Sequence, residues 1–337
     1  MREPRLLDPA QRPELDRYLT SLGLLVGDDL PIDVAPAGAG NMNLALRITA
    51  ATQRSFVVKQ GRPWVEKYPQ IPAPCERTIV EAAFYSTVQS VPAVAARMPA
   101  ILRFDPDNYV LVLEDVGREG DFTSIYGGED LPASILTALL DWLEQLAWVR
   151  VPAAMQATLA NRAMRALNHE HMFRFPLDAS NGLDLDAITP GLGVAARELA
   201  GDRAYCDAIA ALGQRYLADG PVLAHGDYFP GSWLKDAGDV RIIDPEFCFP
   251  GDAEFDCGIM AAHLAVAQCR AASLEMVAAA AGTRGLDLAL IAGYAGVEIM
   301  RRLIGVAQLP LSHGIVIKRA LLQLSHRLVL EPKQGLA

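Results

Sequence analysis

Strand-like patterning fills the first third of the chain and gives way to helical patterning in the rest. Residues 32–38 (IDVAPAG), 44–50 (LALRITA) and 55–60 (SFVVKQ) are short, rich in branched side chains and alternate apolar with polar, as half-buried strands do. Two more such runs, AILRFDPDNY and VLVLEDVG at 100–117, predict a strand pair with a turn at 105–108, where Asp, Pro and Asn cluster. Residues 14–25 (ELDRYLTSLGLL) and 75–91 (CERTIVEAAFYSTVQSV) carry helical periodicity, and the proline-heavy stretch 61–74 reads as a loop. From about residue 130 the pattern is mostly helical and alanine-rich. One island interrupts it, VLAHGDYFPGSWLKDAGDVRIIDPEF at 222–247, which reads as two short strands flanking a loop. Strands with one embedded helix, followed by a helical remainder, predict an α+β protein of two unequal lobes: a small antiparallel sheet lobe at 1–115 and a larger, mostly helical lobe at 116–337.

Composition narrows what such a protein does. A length of 337 residues suits two lobes around a cleft, and 51% hydrophobic against 21% charged residues allows a sizeable core and argues against disorder. The net charge of −10 argues against nucleic acid as a main partner, because that needs a broad basic surface. Five cysteines with no CxxC pair point away from a disulfide framework or a structural zinc site and toward a reducing cytoplasm. The first residues, MREPRLLDPAQRPELDRYL, hold no apolar core of a signal peptide, and no run reaches the roughly 18 apolar residues of a membrane span. A cytoplasmic protein without a membrane partner is expected.

Candidate chemistry concentrates in the island. His225-Gly226-Asp227 is followed by Ser232, five residues past the Asp, and then by Asp244-Pro245-Glu246 after the apolar run VRII. In kinases, H-x-D-x-x-x-x-N sets a carboxylate beside the substrate hydroxyl and an amide on a metal, and a later Asp holds magnesium against the nucleotide phosphates. The first carboxylate must be ionised and within reach of the attacking hydroxyl, and the later acids must offer hard oxygen ligands. Asp244 and Glu246 are two apart, so on an extended segment they would face the same way and share a metal.

HGDYFPGSWL followed by IIDPEFCFPGDAEFDCG resembles the aminoglycoside-phosphotransferase-like kinase superfamily, and within it the 5-methylthioribose kinase family most closely. That family also carries Ser where relatives have the metal-binding Asn, and Asp-Pro-Glu-Phe where protein kinases have Asp-Phe-Gly. The resemblance implies a bilobal protein-kinase-like fold, ATP and Mg2+ as cofactors, Asp227 as the catalytic carboxylate, and Asp244 with Glu246 as metal ligands. Glu246 would supply the oxygen that Ser232 supplies less well than Asn. The loop Ala37-Gly38-Ala39-Gly40-Asn41-Met42-Asn43 resembles the family's nucleotide-covering loop, in which glycines let backbone approach phosphate; Gly38, Gly40, Asn41 and Asn43 are its candidate contacts. Lys59 stands where a kinase fold expects the phosphate-binding lysine, with Glu81 as its partner and Glu76 as the alternative.

Glu114 and Val116 fall at the connection between lobes, where backbone groups would meet the adenine edge. Arg301-Arg302 resembles the family's paired arginines at the sugar site; adjacent residues on a helix point roughly 100° apart, so at most one is expected to face the cleft squarely. Asp256 reads as a helix-start acid bracing the catalytic loop. His169, His171, His263, His313 and His326 have no ligand-like spacing and are left without a role. The acceptor is expected to be a small molecule with a hydroxyl, 5-methylthioribose or a related pentose first, with aminoglycoside, choline or homoserine as alternatives. Between Glu114 and Gly220 little matches that family, least of all EDVGREGDFTSIYGGED. A non-catalytic nucleotide-binding protein with a kinase fold is the rival reading from another class, and the resemblance is compatible with a homodimer.

Overall fold

Alternation decides which way each strand of the first sheet faces. The computed structural model describes residues 4–27, 29–38, 40 and 42–334. Strands β1 (Pro31–Pro36), β2 (Leu44–Ala50), β3 (Ser55–Gln60), β6 (Ile101–Asp105) and β7 (Val110–Glu114) form a five-stranded antiparallel sheet in the order β1-β2-β3-β7-β6. Leu46 and Ile48 of β2, Phe56 and Val58 of β3 and Val110 and Val112 of β7 share one face and bury the helix Arg12–Ser21 through Leu15 and Leu19. Each such side chain contributes about 1.5–3 kcal/mol of burial. Leu111 and Leu113 turn the other way and join Val80 and Phe84 of the helix Arg77–Val88 in the larger core. Lys59 sits opposite Leu111 in the β3–β7 register, so the same period of two sends it toward that helix.

Two expectations change. The proline-heavy stretch is not all loop: β4 (Trp64–Val65) and β5 (Tyr68–Pro72) make a short antiparallel hairpin beside the main sheet. The backbone carbonyls of Arg62 and Trp64 that hold it down accept from the Arg77 guanidinium, a long-range tie that periodicity does not register. The island at 222–247 holds three strands rather than two, β8 (Val222–Ala224), β9 (Trp233–Asp236) and β10 (Asp239–Ile242). Of these, β9 and β10 form a hairpin through Ala237 and Gly238, both at positive φ as a tight hairpin turn requires, while β8 pairs with β11 (Phe249–Gly251).

The rest is helical, and its core carries the loop between β8 and β9. Helices Ala253–Val266 and Leu288–Ile304 lie so close that a side chain at Gly258 would come within 2.9 Å of the Ile291 carbonyl oxygen. Asp256, in the first turn of the former, accepts from the backbone N–H of His225 (2.6 Å) and of Gly226 (3.0 Å). Gly226 has φ +91, and a Cβ there would lie 2.1 Å from the Phe247 carbonyl oxygen. Trp142 stacks on Tyr228 at 5.3 Å and meets the His225 ring edge-on, seating the loop from below. Among the described residues no helix is long and apolar enough to cross a membrane.

Asp256→Ala orphans two buried N–H groups and removes the brace under residues 225–227. We expect it to lower unfolding free energy by about 2–5 kcal/mol in urea titrations. Unchanged stability would show that the loop is held by its aromatic seat alone.

Candidate active site

Three elements far apart in sequence meet at one ammonium. Lys59 Nζ lies 2.7 and 3.0 Å from the two Glu81 oxygens and 2.5 Å from Asp244 Oδ1. Glu81 comes from the helix Arg77–Val88, Asp244 from the end of β10. Burial alone would push the lysine toward its neutral form, but Asp244, Glu81 and Glu246 together hold its pKa above the ordinary lysine value. It is therefore a fixed cation. Glu76, the alternative partner, accepts instead from the Tyr109 hydroxyl at 3.5 Å.

The loop Asp227–Ser232 is shaped by its neighbours. Burial drops the His225 pKa to about 4, so its ring is neutral; Nε2–H donates to the Ile243 carbonyl (2.9 Å) and Nδ1 faces the Asp227 N–H (3.4 Å). The histidine thus ties the backbone at Asp227 to the segment just after β10. Ser232, fully buried, donates its hydroxyl to the Asp227 carbonyl at 2.9 Å, so its hydrogen closes the loop and only its lone pairs remain for another partner.

The same-face argument for Asp244 and Glu246 is corrected. Residues 244–246 are not extended: Asp244 has φ +65 and Pro245–Phe247 is a 3-10 turn, which Pro245 favours by fixing its own φ. The two carboxylates accordingly have different partners. Asp244 meets Lys59, whereas Glu246 accepts from Asn43 Nδ2 (2.8 Å) and lies 3.5 Å from Arg77 Nε. Asn161 fixes the following backbone by donating to the carbonyls of Glu246 (2.8 Å) and Cys248 (2.9 Å).

Glycine freedom matters in the β1–β2 loop, where Gly38 has φ +104 and, among the described residues, neither Gly38 nor Gly40 has a neighbour within 4 Å of a Cβ position. Asn41 lies outside the described residues. Asn43 has a different employment from phosphate contact: its amide binds Glu246 at one end and Arg77 Nε, at 2.7 Å, at the other. Arg77 was missed by sequence reasoning. It is fully buried, and its remaining N–H groups donate to the carbonyls of Met42, Arg62, Trp64 and Pro74, joining the glycine loop to the β4–β5 hairpin. Its i, i+4 spacing from Glu81 was the available signal, since that places both on one stripe of the helix. At the connection after β7, the Glu114 N–H is engaged by the Ala100 carbonyl (2.9 Å), its side chain is exposed, and Val116 is half-buried.

Both arginines reach Asp227, contrary to the expectation of one. Arg302 Nη2 lies 3.2 Å and Arg301 Nη2 3.4 Å from Asp227 Oδ1. Their Cα–Cβ bonds do diverge, but the side chains are long enough to converge, and Glu298 one turn earlier sits 2.6 Å from Arg302 Nε and 2.7 Å from Arg301 Nε. Burial pushes the Asp227 carboxyl up from its usual range, and the guanidiniums offset this only in part. A cavity of about 100 Å³ opens beside this group. Its lining includes the polar side chains of Asp227, Arg301, Arg302, Asn168 and His171 and the apolar ones of Val65, Ile71, Leu167 and Phe229. Asn168 anchors Arg301 Nη1 at 3.0 Å. His171 lies in the π-helical segment Glu170–Arg174, so the poorly matched stretch before Gly220 does line the cavity.

A sequence model described as the phosphotransferase enzyme family matches residues 33–296. The chain is 25% identical to the methylthioribose kinase of Geobacillus kaustophilus, over 96% of this chain and 93% of that one. It is 26% identical to that of Erwinia tasmaniensis, over 88% and 86%. In fold it is similar to a choline/ethanolamine kinase family protein from Mesorhizobium loti (TM-score 0.53, 18% identity, 95% of each chain). It is similar also to an AMP-bound spectinomycin phosphotransferase (TM-score 0.55, 13% identity, 96% and 95%). These structures bear out the α+β, protein-kinase-like architecture of a small antiparallel sheet beside a larger helical portion. With the match running over most of its length, this chain belongs to the phosphotransferase enzyme family.

Proposed function

We propose that this enzyme transfers the γ-phosphoryl group of ATP to the anomeric hydroxyl of 5-methylthioribose or a closely similar pentose. The observation that carries the acceptor is the cavity of about 100 Å³, lined both by a carboxylate and two guanidiniums and by apolar side chains of β4–β5. A compact polyol with one apolar substituent suits both kinds of lining. Cationic acceptors such as choline or an aminoglycoside would meet Arg301 and Arg302 beside a single Asp227, which disfavours them. The 25% and 26% identical methylthioribose kinases support the same choice.

In this reading residues 1–115 bind nucleotide and 116–337 supply the acid and the acceptor site. Asp227 orients the acceptor hydroxyl and takes its proton late, the hydroxyl oxygen forming a bond to the γ-phosphorus as the bond to the β-phosphate oxygen breaks. Lys59, kept cationic and aimed by Glu81, holds the phosphates. The loop at Gly38 and Gly40 covers them, with the Glu114 carbonyl and Val116 at the adenine edge. Catalysis then comes from positioning and from charge, with little covalent work for the protein.

The donor set fits magnesium. That ion is usually held through one or two carboxylates together with phosphates and waters, and no cluster of three acids or metal-type residues occurs among the described residues. Asp244 and Glu246, with Ser232 nearby, would hold it, and it would supply positive charge to the phosphate oxygens. To hold a cation Glu246 would have to give up its bond from Asn43, and Asn43 would keep its bond to Arg77.

Asp227→Asn keeps shape and removes the charge. We expect kcat to fall by about 10³-fold with nucleotide affinity within about twofold of wild type, measured by coupled ADP release and calorimetry. Near-normal turnover in this variant would remove Asp227 from the reaction. In the same coupled assay a panel of 5-methylthioribose, other pentoses, aminoglycosides, choline and homoserine should rank 5-methylthioribose first in kcat/KM, with activity lost on chelation of divalent metal. A cationic acceptor ranking first would overturn the acceptor assignment while leaving the kinase reading intact.

A further inference from the structure

Behind the arginine pair lies a buried polar chain that the reaction above does not use. Glu298 precedes Arg301 and Arg302 by three and four residues, so all three share one stripe of the helix Leu288–Ile304. Its Oε1 accepts from Arg302 Nε at 2.6 Å, and its Oε2 lies 2.7 Å from Arg301 Nε, a charge contact whose N–H is not aligned for a hydrogen bond. His263 Nε2 approaches Oε1 at 3.0 Å from the neighbouring helix, and the Tyr126 hydroxyl lies 2.6 Å from His263 Nδ1. Glu298 is fully inaccessible and His263 all but so.

The protonation of this chain follows from its surroundings. Burial alone would raise the Glu298 carboxyl, yet Arg301, Arg302 and the His263 bond hold it well below the usual range, so it is an anion. Burial lowers His263 to about 4, so the ring is neutral. A neutral ring beside a carboxylate presents Nε2–H to it and leaves Nδ1 as acceptor for the Tyr126 O–H. Tyr126 therefore donates to His263 and His263 to Glu298, while Arg302 donates to Glu298 from the other side and, through Nη2, to Asp227.

Charge explains why such a chain is needed. Two guanidiniums against Asp227 alone would leave one buried cation without a partner, and Asp227 would have to serve as their counter-ion and as the acid-base group at once. Glu298 is a standing counter-ion that leaves the guanidinium ends free while holding their stems. His263 gives Glu298 Oε1 a second hydrogen bond without adding positive charge, and Tyr126 selects the tautomer that can do so. We propose that Glu298, His263 and Tyr126 are positioning residues that hold Arg301 and Arg302 end-on to the acceptor site, so that Asp227 can exchange the arginines for the acceptor hydroxyl.

This rests on the assignment of Asp227 as the group that meets the acceptor, and the test separates the two. Rates are taken per nucleotide-binding site, with ATP and 5-methylthioribose as substrates. We expect Glu298→Gln to lower kcat/KM for the acceptor by about 10- to 100-fold with the ATP KM unchanged, the size of loss that slight misplacement of a reacting group causes. A loss confined to folding would reduce the number of binding sites and leave the normalised rate alone. His263→Gln, which keeps a donor toward Glu298, should retain more turnover than His263→Leu. Tyr126→Phe should show a His263 tautomer mixture in 15N spectra of the protein alone, and its kinetic effect should vanish in an Arg302→Lys background, because residues acting as a unit are non-additive. Wild-type normalised rates in Glu298→Gln and Tyr126→Phe, or effects that multiply independently of Arg302→Lys, overturn the relay, provided Asp227→Asn is inactive beside them. An active Asp227→Asn overturns instead the assignment on which the relay rests.

Discussion

The site depends on keeping one ammonium charged where burial would strip its proton. Lys59 is nearly inaccessible, and the energy that holds it cationic comes from Glu81 on a helix of the first half and Asp244 at the end of a strand in the second. Breaking one partner of such a buried set typically costs about 3–5 kcal/mol, so the contact works as a latch between the sheet and the helical portion. The latch also fixes the spacing across which a phosphate chain would lie. Asp244 adopts a left-handed backbone to reach it, a conformation that a non-glycine residue keeps only where its surroundings impose it.

Around the latch the protein repeats one device: a buried charged or polar side chain that holds backbone rather than substrate. Asp256 takes two N–H groups at His225 and Gly226, Asn161 takes the carbonyls of Glu246 and Cys248, and Arg77 takes four carbonyls in the glycine loop and in and beside the β4–β5 hairpin. None of these touches the cavity. Their effect is to leave the backbone beside Asp227 and Asp244 little freedom before any ligand arrives, which is where catalysis by positioning draws its advantage.

What the sequence discloses follows from how local each interaction is. Strands β2 and β3 are readable to the residue because alternation is set by nearest neighbours and by one buried face. Lys59, Glu81, Asp227 and Asp244 are readable because the resemblance assigns each a place in chain order, and three of them, Lys59, Glu81 and Asp244, do meet. Arg77 is not, since an arginine at the start of a helix looks like any solvated charge until its five N–H groups are followed to partners up to 35 residues away. The hairpin in the proline-rich stretch escapes for the same reason. The turn at Asp244 escapes because an extended reading of VRIIDPE is locally reasonable and only the pull of Lys59 and Pro245 bends it. His263 and Tyr126 lack any spacing signal because their partners are brought together by helix packing alone.

The central claim is that residues from both halves form one metal–nucleotide site at Lys59 and Asp244. Electron paramagnetic resonance with Mn2+ and ADP, on protein carrying 13C-labelled aspartate carboxylates, tests it most directly. The account predicts a single site per chain with 13C hyperfine coupling that disappears in Asp244→Asn. Coupling undiminished in that variant would mean that the metal sits elsewhere and would contradict the assembly described for this site.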